Sequence, residues 1–234
     1  METSTPGRWT RPSRGGVRFD DRSWGADELQ ADLARFGDDE WQSLDNGGEW
    51  GQIPLVWPSK EGTEVHPAMS DCPAFQAVLD SFPGRVMDAV LARLGPGGWV
   101  KEHRDISGGV AMGVARFHVP VTTHEDVEFY VDGKRCRMAE GELWSLDTTY
   151  LHKLKNASEI WRVHLIVDIE MNDAVRSMYP PEEWQDKVHR LHFASIVAAK
   201  GVKMGLRDPR KMVGMARRFF ALKFQGKSSL FDVE

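Results

Sequence analysis

The amino-acid sequence predicts a mainly β fold, a β-sandwich or jelly roll, with short helices before it and a small helical part after it. Between about residues 85 and 169, several short strand-like segments follow one another at close spacing and are joined by turns. Amphipathic helical patterns precede this region, and two more follow it. With 234 residues, 41% of them hydrophobic, the chain is long enough to bury one substantial core.

The N-terminal part combines a polar segment with short regular elements. Residues 1–16 are rich in Gly, Pro, Ser, Thr and Arg, which predicts a loose basic tail. Hydrophobic residues three or four positions apart predict helices, and a short apolar run bounded by proline predicts a strand. The elements predicted before residue 85 are a helix over 26–37, a strand over 50–58 and a helix over 73–82.

The region after residue 85 predicts the strands of the β fold. Asp132-Gly133 lies within a strand-like segment and predicts the type I′ turn of a hairpin. The segment "RVMDAVLARL" precedes a Gly-Pro-Gly-Gly turn, which favours a strand at its end. The other predicted elements are strands over 114–123, 141–147 and 160–169 and the hairpin over 127–138.

The last part of the chain has a helical pattern. Residues 180–200 predict a helix with proline in its first turn, and residues 208–225 predict a second helix with Asp208 as its N-cap. The predicted parts of the chain are a flexible tail over 1–16, a β domain over 17–170 and a small α-helical domain over 171–234.

Composition and charge exclude several functional classes. The net charge is −5 and the pI about 5.9, so no global basic field favours nucleic acid as the main partner. Cys72 and Cys136 lie far apart and form no CxxC motif, which indicates neither a disulfide framework nor a cysteine metal site. Without an apolar run of about 18 residues or an N-terminal signal, we predict a cytoplasmic protein with no membrane anchor.

The segment "KEHRD" places His103 and Asp105 two positions apart. If the segment is extended, both side chains project to one face and can bind the same cation. The candidates for a third ligand are His118, His124, His152 and His164. His152 is favoured because it lies at or just past a strand end, and two histidines with one carboxylate form the facial arrangement of non-haem Fe(II) oxygenases. The alternative for this segment is a solvated polar turn.

Two predicted strands carry charged side chains on one face and apolar side chains on the other. Arg162, His164 and Asp168 share a face in the last strand, and Arg116 and His118 share a face in an earlier one. These rows either face solvent or line a barrel lumen that binds an anion. A guanidinium in such a lumen is suited to gripping a carboxylate through two hydrogen bonds.

As an ordered set, the motifs of the β region resemble those of the aspartyl/asparaginyl β-hydroxylase family, Fe(II)/2-oxoglutarate-dependent oxygenases built on a double-stranded β-helix. The resemblance covers about residues 85–169. The motifs that carry it are "HRD" (103–105), "RFHVP" (116–120), the "VEFYVDG" hairpin (127–133), "GELWSLD" (141–147), "HKLKN" (152–156) and "RVHLIVD" (162–168).

This resemblance implies a role for each matching residue. His103, Asp105 and His152 would bind Fe(II). Arg162 would bind the distal carboxylate of 2-oxoglutarate, and His118, with Arg116 beside it, would contact the co-substrate or the carboxylate of the substrate. His164 and Asp168 are candidates for supporting contacts, or for hydrogen bonding within the core. O₂ would be the second co-substrate, with succinate and CO₂ as co-products.

Asp105 narrows the resemblance further. The peptide-modifying members of the family have glycine at this position, whereas the free-amino-acid hydroxylases, such as the proline cis-4-hydroxylases, have the H-x-D form and a helical C-terminal domain. The resemblance therefore implies hydroxylation of a small amino-acid-like or carrier-bound metabolite, and argues against a halogenase. Two alternatives remain: the same chemistry on a protein or lipid, and a non-enzymatic jelly roll that binds a metal or a carboxylate.

Overall fold

The structure, a computed structural model, describes residues 9–44, 50–59, 62–105 and 109–207. Within these ranges two sheets form a mainly β fold of the jelly-roll type, which confirms the predicted fold class. The larger sheet has nine described strands in the order β1-β2-β11-β8-β13-β6-β4-β3, with β5 paired to β4. The smaller sheet has four described strands in the order β10-β9-β12-β7.

Along the second half of the chain the described strands pass back and forth between the two sheets, and one hairpin lies wholly in the smaller sheet. Their bounds are β1 Trp9–Ser13, β2 Gly16–Ser23, β3 Gln42–Ser43, β4 Trp50–Ser59, β5 Gly62–Val65, β6 Val86–Leu94, β7 Trp99–His103, β8 Val114–Thr122, β9 Val127–Val131, β10 Lys134–Cys136, β11 Glu142–Leu146, β12 His152–Asn156 and β13 Arg162–Glu170. The described α-helices are α1 Ala26–Leu33, α2 Pro73–Asp80, α3 Asp173–Arg176 and α4 Trp184–Arg207.

Strand β13 shows why the larger sheet has two different faces. Its odd-numbered residues are apolar and buried in the core cluster that also contains residues of helices α1 and α2. Leu165, Leu29 and Phe75 are all fully buried in this cluster. Burying each such side chain contributes about 1.5–3 kcal/mol relative to leaving it exposed. The even-numbered residues, beginning with Arg162 and His164, project from the opposite face of the sheet.

A second apolar cluster contains residues from both sheets. Leu94 and Leu146 come from the larger sheet, whereas Phe129 and Leu154 come from the smaller one. The two sheets therefore pack against each other, and residues of both, among them Phe129 and His164, line one pocket. The predicted alternation of polar and apolar faces is confirmed for β13.

Local turn chemistry fixes the hairpin between β9 and β10. Asp132 and Gly133 have φ values of 53° and 73°, so both central residues of the turn are left-handed. This is the backbone that a type I′ turn requires, as the sequence predicted.

The structure corrects the predicted N-terminal tail. From Trp9 to Ser13 the chain forms β1, which pairs antiparallel with β2. The prediction of a loose tail over 1–16 is therefore wrong from Trp9 onward, because the backbone hydrogen bonds of antiparallel pairing with β2 outweigh the polar composition. Residues 1–8 lie outside the described residues.

The C-terminal predictions are met in part. The predicted helix over 180–200 is present, but α4 begins only at Trp184, so the prolines precede it rather than occupying its first turn. The second helix, over 208–225 with Asp208 as its N-cap, lies outside the described residues. The described residues divide into a first unit, up to Trp57 and from Thr63 to Pro180, and a second unit that contains Pro181 onward and Pro58–Gly62.

Both cysteines are buried and free, as their spacing predicted. Within the described part of the chain, no helix combines the length and the apolar character that crossing a bilayer would require.

Candidate metal and anion site

Strand pairing brings the two predicted metal histidines together. β7 ends at His103 and β12 begins at His152, and these two residues lie directly opposite each other in the smaller sheet. Their ring centroids are 4.2 Å apart. One ligand atom from each of His103, Asp105 and His152 lies within 4.8 Å of the others, so the three residues could hold a metal ion.

Hydrogen bonds orient both imidazoles for metal binding. Nδ1 of His103 lies 2.8 Å from the carbonyl oxygen of Lys101, and Nδ1 of His152 lies 3.1 Å from that of Tyr150. Because a carbonyl can only accept, Nδ1 carries the proton in each ring and Nε2 keeps its lone pair. Burial lowers the pKa of His152, which favours the neutral form that binds a metal.

Asp105 is held through both its backbone and its side chain. Its N–H donates to the carbonyl of Thr148 at 2.9 Å. Its Oδ1 lies 3.4 Å from Nε2 of His103, while its Oδ2 accepts a hydrogen bond from Nη1 of Arg116 at 3.2 Å. The two carboxylate oxygens of Asp105 therefore face different neighbours.

Arg116 is also bound by Asp168. Its Nε and Nη2 donate to the two oxygens of that carboxylate, both at 2.7 Å. The two residues face each other in the register of β8 and β13. Arg116 and Asp168, which the sequence placed in separate polar rows, thus form a fork-shaped pair beside Asp105.

Arg162 occupies a different environment. The residue is 3% exposed, and among the described residues its Nε and Nη2 find no hydrogen-bond partner. Its guanidinium carbon lies 6.0 Å from the centre of the Phe129 ring. Burial lowers its pKa to about 9. A buried cation without a counter-ion is costly, so this position is suited to an anionic ligand.

Two buried histidines accompany Arg162. His118 and His164 have ring centroids 5.7 Å apart, and within the described chain neither ring nitrogen of either residue has a partner. Burial first, and then the charge of Arg162, lowers both pKa values well below their ordinary range. Both imidazoles are therefore neutral, and each can donate one hydrogen bond to an anion.

Phe129 connects the two groups of polar side chains. Its ring stacks against His152 at 6.3 Å with the planes 6° from parallel, and it meets the ring of His118 edge-on at 6.0 Å. The sequence reasoning missed Phe129. The available signal was its position in "VEFYV", where it alternates with Glu128 and Tyr130 and so points inward with Val127 and Val131.

The structure brings the predicted site residues together in two groups. One group contains the three metal candidates, with Arg116 and Asp168 attached to Asp105. The other contains Arg162, His118 and His164. The contact between Arg116 and Asp105 could not be predicted, because two positions on different segments do not reveal which side chains meet.

Comparisons with known proteins identify the family of the chain. A family model described as aspartyl/asparaginyl beta-hydroxylase matches residues 25–172. The chain is similar to the structure of an oxidoreductase of the 2OG-Fe(II) oxygenase family from Burkholderia pseudomallei, with 11% identity, 68% of this chain and 86% of that chain covered, and a TM-score of 0.48.

Two further solved structures show similarity of the same order. HygX from Streptomyces hygroscopicus with nickel and 2-oxoglutarate bound has 12% identity, with 68% of this chain and 84% of that chain covered and a TM-score of 0.46. A cupin 2 conserved barrel domain protein from Salinispora arenicola has 16% identity, with 62% and 92% covered and a TM-score of 0.35. None of the curated proteins matches the chain.

Proposed function

Because the chain belongs to the aspartyl/asparaginyl β-hydroxylase family, we propose that it is an Fe(II)- and 2-oxoglutarate-dependent dioxygenase that hydroxylates a small molecule. The observation that carries this proposal is the combination of a His–Asp–His donor group with a buried arginine that lacks a carboxylate partner among the described residues. A site that only bound a metal would have no use for Arg162, and a site that only bound a carboxylate would not need the donor group.

The residues present fit both proposed ligands. Nitrogen from imidazole and oxygen from carboxylate are the donors that Fe(II) receives in non-haem oxygenases. The two Nε2 atoms of His103 and His152 have lone pairs available for it, and Asp105 offers an oxygen. Arg162 would pair with the distal carboxylate of 2-oxoglutarate, the kind of group that a guanidinium binds through two hydrogen bonds.

The remaining residues of the site would orient the co-substrate and limit access of water. Neutral His118 and His164 would each donate a hydrogen bond beside Arg162 without adding positive charge. Phe129 packs against both His152 and His118 and so fills the space between the two groups. When bound, iron with 2-oxoglutarate and O₂ supplies the oxidising chemistry, with succinate and CO₂ as co-products.

The substrate class that we propose is a free amino-acid-like molecule or an acyl group carried on another molecule. Asp105 supports this class through the resemblance of the H-x-D form to the free-amino-acid hydroxylases. The same chemistry on a folded protein or a lipid is the alternative that substrate profiling would test.

Turnover measurements test the proposal directly. Purified protein with Fe(II) and ascorbate should convert 2-oxoglutarate to succinate, and free amino acids or carrier-tethered acyl groups should stimulate this conversion. His152→Ala and Asp105→Ala should each reduce succinate formation at least about 100-fold, because each removes a proposed metal ligand. Unchanged turnover in both variants would show that the metal assignment is wrong.

A matched control separates loss of a ligand from general damage. Asp126 lies outside the site and has a side chain 59% exposed. Asp126→Ala should keep the turnover of the wild-type protein within about twofold, since surface substitutions change stability little.

A further inference from the structure

We propose that Arg116 is a positioning residue for the metal centre: it occupies one oxygen of Asp105 and leaves the other oxygen for the metal, while Asp168 holds Arg116 in place. This inference rests on the proposed function only in taking Asp105 as a metal ligand. It assigns to Arg116 a role different from the co-substrate contact that the family resemblance implies.

The two oxygens of Asp105 have different neighbours. Oδ1 lies 3.4 Å from Nε2 of His103, on the side where the three ligand atoms converge. Oδ2 accepts a hydrogen bond from Nη1 of Arg116 at 3.2 Å. Because Oδ2 is engaged, Asp105 is set to bind a metal through Oδ1 alone. A carboxylate with one bound oxygen occupies a single coordination position and leaves more positions for other ligands.

Arg116 is itself held in place by Asp168. Its Nε and Nη2 both bond to Asp168 at 2.7 Å, so only Nη1 is directed toward Asp105. Arg116 and Asp168 lie opposite each other on β8 and β13, two adjacent strands inside the larger sheet. The guanidinium is therefore fixed to the rigid part of the fold, whereas Asp105 lies just beyond the end of β7. Such supporting hydrogen bonds orient metal ligands.

Asp168 also affects how strongly Asp105 can attract a metal cation. An arginine beside Asp105 without a second carboxylate would compete with a metal cation for the negative charge of that ligand. Asp168 balances the charge of Arg116 through the two short bonds. The pair can then donate a hydrogen bond to Asp105 while leaving most of the charge of Asp105 for the metal.

Arg116 and Arg162 differ in their hydrogen-bond partners, which indicates different roles for the two residues. Each of the three guanidinium nitrogens of Arg116 has a carboxylate partner. Among the described residues, Nε and Nη2 of Arg162 have no such partner. An arginine that binds a carboxylate ligand is expected to have donors without a partner in the protein, as Arg162 has. An arginine that holds another side chain is expected to have its donors occupied, as Arg116 has.

Metal binding without turnover is the decisive measurement. Co(II) titrated anaerobically into the full-length protein reports both affinity and, through its visible absorption, the geometry of the ligands. Arg116→Gln and Asp168→Asn should each weaken Co(II) binding about 10- to 100-fold and alter the Co(II) spectrum. Arg116→Lys keeps the positive charge but loses the paired donors of the guanidinium, so it should bind Co(II) more tightly than Arg116→Gln and less tightly than the wild-type protein.

Binding of 2-oxoglutarate to the Co(II)-saturated protein gives the complementary readout. Arg116→Gln should change that affinity less than about threefold, whereas Arg162→Gln should lose at least about 10-fold in 2-oxoglutarate affinity and keep its Co(II) affinity. The opposite pattern, normal Co(II) affinity and lost 2-oxoglutarate binding in Arg116→Gln, would overturn the inference.

A double-mutant cycle keeps the proposal testable if one variant folds poorly. If Arg116 acts through Asp105, then Asp105→Asn and Arg116→Gln together should weaken Co(II) binding less than the sum of their separate effects. Additive effects would contradict the inference. Wild-type protein that binds Co(II) but never 2-oxoglutarate would overturn the proposed function and leave the role of Arg116 standing.

Discussion

Arg162 is the residue whose surroundings differ most from what stability alone would favour. It is 3% exposed, and its Nε and Nη2 lack partners within the described residues. Burial also lowers its pKa to about 9, which shows that the fold disfavours the charged form. An apolar side chain of similar length would suit the same position better in the absence of a ligand. Arg162 therefore lowers the stability of the ligand-free protein and favours binding of an anion.

The buried position of Arg162 predicts that Arg162→Met has opposite effects on stability and on binding of 2-oxoglutarate. In the ligand-free protein, the substitution should raise the free energy of unfolding by about 1 to 3 kcal/mol, because it removes a buried unpaired charge. With Ni(II) present, 2-oxoglutarate at about 100 times its dissociation constant should stabilise the wild-type protein by about 2.7 kcal/mol and the variant hardly at all. Urea unfolding with and without 2-oxoglutarate measures both effects.

Arg93 provides the control for this prediction. Its guanidinium carbon lies 4.4 Å from the centre of the Trp41 ring and 4.5 Å from that of Trp161, and its Nη1 pairs with Asp38 at 3.4 Å, so it has partners within the protein. Arg93→Met should therefore lower stability by about 1 kcal/mol and leave stabilisation by 2-oxoglutarate unchanged. An Arg162→Met variant that loses stability and still responds to 2-oxoglutarate would contradict the assignment.

The sequence predicted individual site residues better than their partners. His103 and Asp105 could be paired because two positions in an extended segment share a face, and the position of His152 near a strand end made it the favoured third ligand. The hydrogen bonds of Arg116 could not be predicted, because they depend on the register of β8 against β13 and on where the chain goes after β7. These are properties of the assembled sheets and not of any one segment.

At the level of elements, two glycines with similar backbones have different surroundings. Gly133 and Gly141 have φ values of 73° and 76°, in the region that side chains rarely adopt. A Cβ at Gly133 would meet no atom within 4 Å, whereas a Cβ at Gly141 would overlap the carbonyl oxygen of Trp24. Gly141 also accepts a hydrogen bond from the N–H of Trp24 and donates one to Pro120, so its backbone joins three segments at the start of β11.

We therefore predict unequal losses of stability from alanine at these glycines. Gly133→Ala should cost roughly 1 kcal/mol, the penalty for the left-handed backbone alone. Gly141→Ala should cost about 3 kcal/mol or more, since the backbone of Trp24 must move away as well. Urea unfolding of the two variants measures the difference. Equal losses would mean that the approach of Trp24 to Gly141 contributes nothing to the stability of this junction.

Most elements could be predicted, and the exceptions share a cause. The hairpin and β13 carry strong local signals, a two-residue turn and a strict alternation of polar and apolar residues. β1 carries none: it contains Pro12 and three polar residues, and it is a strand because it pairs with β2 at the edge of the larger sheet. Strands that depend on a partner rather than on their own pattern are the ones that sequence reasoning misses.

At the level of the whole molecule, the candidate site depends on both sheets. The smaller sheet supplies His103 and His152, and the larger one supplies Arg162 and His118. Phe129 reaches from the smaller sheet to His118 in the larger one. The proposed metal and co-substrate residues therefore meet only when the two sheets have closed on each other, so packing of the apolar core and assembly of the site are one event.

The larger sheet also carries a row of charged residues that leads to the metal group. Asp88 on β6 lies opposite Asp168 on β13, which lies opposite Arg116 on β8, and Arg116 bonds to Asp105. Burial first, and then the charge of Asp168, raises the pKa of Asp88 to about 6 from its ordinary value of 3.8. The sequence reasoning missed Asp88, since it lies in a segment whose periodicity was ambiguous.

The raised pKa of Asp88 predicts how the stability of the whole fold depends on pH. Between about pH 4 and pH 6 the folded protein holds the proton of Asp88 more tightly than the unfolded chain does. Stability from this group is therefore present at low pH and is lost as the pH rises through about 6. Asp88→Asn removes this loss, so its free energy of unfolding, measured relative to the wild-type protein, should increase by about 2 kcal/mol between pH 4 and pH 7.

Urea unfolding of both proteins across this pH range tests the prediction, because the difference between them cancels the titration of all other carboxylates. Asp80→Asn serves as the control, since Asp80 is exposed and forms no ion pair among the described residues, so the substitution should change the free energy of unfolding little. A curve for Asp88→Asn parallel to that of the wild-type protein would show that Asp88 binds its proton no more tightly in the folded protein than in the unfolded chain. The row would then carry a second negative charge, that of Asp88, next to Asp168, and the charge balance inferred for Arg116 and Asp168 would have to include Asp88.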